Sequence, residues 1–135
     1  MNKIFIVFIV AVAIIGIGTF LGTGASKTCL ATGETITIDM TIGSWYFAPD
    51  TIRADCGDRV VINAYNEDPY DHGIGLDLFG INKRIIAKTV DKIEFTANEK
   101  GTFTFYCTVP CGSGIDKITK LPKGHFDQKG KIIIS

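Results

Sequence analysis

Two thiols and two imidazoles are the groups in this sequence best suited to chemistry. Cys107 and Cys111 are separated by three residues, in "CTVPC", and His125 follows Cys111 after a gap of thirteen. His72, in "NEDPYDHGIGLDLFGIN", is the only other histidine of the chain. Thiolate and imidazole together suit a soft metal. Copper takes two His and a Cys with a weak axial Met, Gln or carbonyl, and zinc accepts Cys2His2. Each residue also has a plainer reading. Cys107 and Cys111 would make a short-range disulfide, and a lone exposed histidine is usually a solvated loop residue. The four residues carry a metal only if the fold gathers them at one place.

The elements that would gather them are strands. In "TITIDMTI", Ile36, Ile38, Met40 and Ile42 alternate with Thr35, Thr37, Asp39 and Thr41, the period-two pattern of a strand with one buried face. "DTIRADCGDRVVINAYN" reads as a strand at Thr51–Ala54, a turn at Asp55–Asp58 and a strand at Arg59–Tyr65. "DKIEFTA" puts Ile93 and Phe95 on one face, "GTFTFYC" does the same with Phe103 and Phe105, and "GKIIIS" closes the chain. About seven short strands with turn signals between them indicate an all-β sandwich. Met40 falls on the core face. His72 follows one strand and Cys107 ends another, so loops converging at one pole of a Greek-key sandwich would bring the thiols and imidazoles together. Ile115, Ile118 and Leu121 recur every third residue before Pro122, which reads as one or two helical turns on the domain surface.

Composition places this domain outside the cytoplasm. The 135 residues have zero formal net charge, which implies neither a nucleic acid nor a strongly charged substrate. From Ile4 to Ser26 there is no charged residue. About 20 apolar residues span a bilayer as a helix, so residues 1–26 are expected to be an uncleaved transmembrane anchor. A signal segment cleaved within Gly22–Ser26 is the alternative. Residues 27–135 then form one extracytoplasmic domain, in a compartment where thiols are usually paired or bound to metal. No catalytic triad, phosphate loop or nucleic-acid motif is present.

The motifs resemble the cupredoxin domain that carries the binuclear copper A centre in cytochrome c oxidase subunit II and nitrous-oxide reductase. "SWYFAPDTIRADCGDRVVINAYNED" is similar to that family's Phe-x-Pro strand-turn-strand segment. "DHGIGLDLFGIN" is similar to its loop from a ligand His to Gly-Ile-Asn, and "KGTFTFYCTVPCGSG" to its approach to Cys-x3-Cys-Gly. The family pattern continues x3-His-x2-Met-x-Gly. The resemblance therefore implies His72, Cys107, Cys111 and His125 as copper ligands. Val109 stands where a main-chain carbonyl binds one copper, and Gln128 stands in the place of the axial Met. Ten extra residues precede His125, in "GSGIDKITKLPKG". Loop closure makes that cost only about 1–2 kcal/mol, and glycines at both ends let the excursion leave and return.

The same resemblance implies a membrane-anchored electron-transfer protein, as in subunit II of a haem-copper terminal oxidase. A cytochrome or cupredoxin would be its donor and an oxidase catalytic subunit its acceptor. It also implies parallel pairing of the strands next to Cys29 and Cys56, bringing these cysteines within disulfide range; free thiols are the alternative. Three other readings remain open: a copper-delivery or copper-holding protein with the same ligands, a mononuclear copper electron carrier, and a metal-free module with a Cys107–Cys111 disulfide. Trp45 and Tyr46 are expected in core or rim packing, with a role where electrons enter as the alternative. Lys117, Lys120, Lys123, Lys129 and Lys131 make the inserted region locally basic, either as solvated charges or as a docking patch for an acidic partner.

Overall fold

The computed structural model describes residues 27–135. The expected anchor or signal segment, 1–26, lies outside the described residues. Among the described residues, no helix is long and apolar enough to cross a membrane.

The period-two stretches form strands. β1 (Thr35–Gly43), β2 (Tyr46–Ala48), β4 (Arg59–Asn66) and β7 (Val90–Thr96) make one sheet, in the order β2-β1-β4-β7; β3 (Thr51–Ala54) belongs to the other. That second sheet runs β3-β11-β8-β5-β6, with β5 (His72–Leu76), β6 (Ile81–Ile85), β8 (Gly101–Tyr106) and β11 (Lys129–Ile134). The inward residues Met40, Ile42, Ile62, Ile74, Phe105 and Ile132 form the shared core, and burial of such side chains is the main force holding the sheets together. Phe47 and Phe105 meet edge to face across it, ring centroids 5.1 Å apart. The all-β sandwich and the core position of Met40 are as the sequence indicates.

β1 and β4 run parallel, from Thr35 opposite Arg59 to Ile42 opposite Asn66. This register brings the segments before them side by side, and Cys29 and Cys56 are bridged with Cα atoms 5.3 Å apart. The disulfide lies at the pole where β1 and β4 begin. The other pole collects the end of β4, the start of β5, the end of β8 and the start of β11.

Two segments differ from expectation. "HGIGL" is a fully buried strand, not a loop. Ile115, Ile118 and Leu121 do not lie on a packed helical face. They sit on a hairpin of β9 (Ser113–Ile115) and β10 (Pro122–Gly124), and each is about 60% exposed. A single helix-like turn survives at its tip, where the Lys120 N–H donates to the Asp116 carbonyl.

A candidate metal centre at one pole

His72 is set in place by the loop that leads to it. Asn66, buried at the end of β4, ties that loop down. Its Nδ2 donates to the carbonyls of Tyr70 (2.9 Å) and Ile85 (3.1 Å), and its Oδ1 accepts the Asp68 N–H (3.0 Å). β5 then opens at His72, which is fully buried. Gly73 permits the segment after β8 to lie against β5, because a Cβ there would overlap Thr108. Cys107 follows β8, and its N–H donates to the Gln128 carbonyl (3.0 Å), continuing the ladder between β8 and β11 to the edge of the pole.

The insertion leaves His125 beside the cysteines. Gly112 turns the chain at φ 76°, a conformation that favours glycine. The hairpin runs outward and returns with Gly124 opposite Ser113. Its base is closed by the His125 N–H donating to the Gly112 carbonyl at 2.9 Å. The extra residues thus form a side excursion, and His125 starts where the excursion ends.

The result is a chain of close contacts. Cys107 Sγ lies 3.8 Å from His72 Nδ1 and 3.9 Å from Cys111 Sγ, and Cys111 Sγ lies 3.7 Å from His125 Nδ1. The carbonyl oxygen of Val109 is 3.2 Å from Cys107 Sγ, and Oε1 of Gln128 is 3.3 Å from Cys111 Sγ. All six residues singled out in the sequence are gathered here. The two sulfurs are unbonded. His72, Cys107 and Cys111 place their donor atoms within 4.8 Å of one another, and His125 joins from the Cys111 side.

Gln128 is buried, and its amide has one sensible orientation. The NH2 donates to the carbonyls of Gly43 (2.9 Å) and Tyr46 (3.1 Å), which turns Oε1 toward the thiols. Trp45 is buried, as expected of core or rim packing, and its indole N–H donates to the Cys111 carbonyl at 3.1 Å. Gly114 of the hairpin lies against its ring. Phe126, beside His125, is 90% exposed.

Electrostatics distinguish the two thiols. Burial, reinforced by the neighbouring Cys107, pushes the Cys111 thiol up to about 12. Burial also works to raise Cys107, but hydrogen bonds with His72 and with the backbone of Gly73 and Val109 outweigh it and hold this thiol below its ordinary value. Burial disfavours a charged His72, yet its contacts with Cys107 and Asp68 raise it overall. The preferred thiolate of the pair is therefore Cys107.

Residues that sequence reasoning missed stand behind His72. Asp68 Oδ2 accepts from Ser44 Oγ (2.6 Å) and from His72 Nε2 (2.9 Å), and Tyr70 hydroxyl also meets Ser44 Oγ. With Nε2–H committed to Asp68, Nδ1 is the ring atom left facing the sulfur, a donor to the thiolate when the ring is charged and a free lone pair for a metal when it is neutral. The available signal was a carboxylate four residues before the histidine. Two of the five lysines of the basic region turn out to be paired: Lys117 with Glu67 and Asp68, and Lys123 with Asp116.

The donor set fits a soft metal. Two sulfurs, two imidazole nitrogens and two oxygens converge with no carboxylate among them, the mixture that favours copper over hard cations.

The model of the cupredoxin-like domain matches residues 9–114, a span that includes His72, Cys107 and Cys111 and stops short of His125 and Gln128. Among solved structures, a heme-copper terminal oxidase dimer is similar with a TM-score of 0.62 and 20% identity, covering 97% of this chain and 88% of that one. The periplasmic domain of subunit II of cytochrome oxidase (CoxB) of Bradyrhizobium japonicum has a TM-score of 0.59 and 17% identity, covering 74% and 83%. The metal binding domain of the Cu(I) exporting P-type ATPase CopA of Streptococcus pneumoniae D39, solved with Cu(I), has a TM-score of 0.58 and 21% identity, covering 82% and 94%.

Proposed function

Because this chain belongs to the cupredoxin-like domain family, we propose that it is an extracytoplasmic electron-transfer protein holding a copper A-like pair of coppers, as subunit II of a terminal oxidase. One observation carries this reading. Each thiol has an imidazole and an oxygen of its own: Cys107 has His72 and Val109, and Cys111 has His125 and Gln128. A single tetrahedral ion would draw all four side chains around one point. The pairing of each thiol with its own imidazole and oxygen supports two half-sites that would share the sulfurs.

Bound copper would supply a one-electron redox couple. The residues of this chain do the rest. Cys107 and Cys111 would bridge and spread the charge, so ligand positions change little between redox states. Rigid strands and buried hydrogen bonds hold the ligands before the metal arrives, which keeps rearrangement small. Asp68 orients His72, and the carbonyls of Gly43 and Tyr46 orient Gln128. With these six residues as ligands the coppers would be closed to a substrate, and oxidase activity would belong to a partner subunit.

The proposed anchor fits this arrangement. Lys27 joins the domain at the disulfide pole, where its carbonyl accepts the Lys100 N–H at 2.8 Å. β1 runs the length of the domain, and nine residues at about 3.3 Å each separate the poles by about 30 Å. Residues 4–26 in a bilayer would then present the thiol pole to partners in the extracytoplasmic space. A cytochrome or cupredoxin donor and an oxidase catalytic subunit are the proposed partners.

Copper loading of the reduced protein tests the reading. Two coppers per chain, lost together in Cys107→Ser or Cys111→Ser, are expected; one copper would replace it with a mononuclear carrier. A second reading, copper delivery or holding, is favoured by the likeness to the Cu(I)-bound CopA domain. Tight Cu(I) binding without strong visible absorption after oxidation would select it.

A further inference from the structure

The inserted hairpin reaches back into the network behind His72 through one side chain. Lys117 Nζ lies 3.1 Å from Glu67 Oε1 and 3.6 Å from Asp68 Oδ1. Glu67 is itself held by the Tyr46 hydroxyl, which donates to Oε1 at 2.7 Å. The Asp68 side chain is only 3% exposed. Its Oδ2 is taken by Ser44 and His72, so Oδ1 is the oxygen that meets the lysine. A buried carboxylate is costly unless both oxygens find donors or a countercharge. The other side chains that meet the Asp68 carboxylate are a hydroxyl and an imidazole. Lys117 brings to it a permanent cation.

We propose that Lys117 is a positioning residue for His72. By holding Oδ1 it keeps the Asp68 carboxylate turned so that Oδ2 receives His72 Nε2–H, which keeps Nδ1 on the sulfur of Cys107. The inserted hairpin thereby gains a task at the site it flanks. Held this way, the carboxylate draws on Nε2–H and makes His72 a stronger donor than an unsupported ring would be. Oxidised copper is then favoured more and the reduction potential is lower. This inference rests on the reading of His72 as a copper ligand.

Three variants of the full chain test it: Lys117→Met, Lys117→Arg, and Lys120→Met as a control on the same hairpin. Lys117 is 59% exposed, so its replacement leaves the core untouched. Without metal, the His72 Nε2–H resonance in NMR is expected to be protected from water in the native protein, in Lys117→Arg and in Lys120→Met, and lost to exchange in Lys117→Met. With copper, Lys117→Met is expected to raise the potential, through a shift of about tenfold in relative affinity toward Cu(I), with Arg restoring it. Native His72 exchange and potential in Lys117→Met would overturn the inference, and so would an equal shift in Lys120→Met. Failure of the native chain to take up copper would overturn the copper reading instead, while the metal-free NMR comparison would still decide whether Lys117 positions the ring.

Discussion

Gln128 turns its Oε1 to within 3.3 Å of Cys111 Sγ because its NH2 is committed to the carbonyls of Gly43 and Tyr46. The oxygen is therefore a fixed feature of the pole and not the chance end of a rotating side chain. Replacing Gln128 by Met puts a softer donor near copper and strands two carbonyls. We expect a higher reduction potential together with a loss of about 1–3 kcal/mol in folding stability. Spectroelectrochemistry and chemical denaturation of the same variant check both.

The Cys29–Cys56 bridge spans 27 residues of sequence. In the chain-entropy account, a loop of that size contributes about 3.5 kcal/mol by constraining the unfolded chain. Replacing both cysteines by Ala is expected to remove about that much stability while leaving copper stoichiometry unchanged, because the bridge lies at the pole away from Cys107 and Cys111. Denaturation curves and copper analysis of the double variant test this.

Much of the scaffold was legible because one face of most strands is wet. β3 has the expected bounds, β1 and β4 extend one residue further, and alternation placed Met40 in the core. β5 carried no such signal. Its five residues are all buried, so apolar and polar positions do not alternate, and Gly73 and Gly75 resemble loop residues. The three-residue spacing of Ile115, Ile118 and Leu121 imitated a helix, although in the hairpin Ile115 lies opposite Pro122 and all three side chains face outward. The six residues of the pole could be named from motif spacing. Asp68, Ser44 and Lys117 could not, because their meeting depends on the path of a loop and of an insertion.

Asp116 anchors the turn of the hairpin. It is buried; its Oδ1 accepts the Thr119 hydroxyl at 2.9 Å and the backbone N–H groups of Ile118 and Thr119, and its Oδ2 accepts from Lys123 at 3.2 Å. Burial opposes ionisation, but these donors outweigh it and bring the carboxyl from 3.8 down to about 2. A depressed carboxyl contributes stability that is complete above its ordinary value and is lost as pH falls through the folded one. Hairpin amide protection is therefore expected to hold above about pH 4 and to fall away toward pH 2. Asp116→Asn should weaken that protection at neutral pH and flatten its acid dependence. Hydrogen exchange measured residue by residue separates the two cases.

The claim most exposed to refutation is that Cys107 and Cys111 share two coppers, each completed by one imidazole. Electron paramagnetic resonance of the copper-loaded, oxidised protein measures it directly. We expect a hyperfine pattern from one unpaired electron shared equally between two copper nuclei, collapsing in His125→Ala. A pattern from a single copper nucleus, or a native spectrum unchanged by removal of His125, would contradict the account.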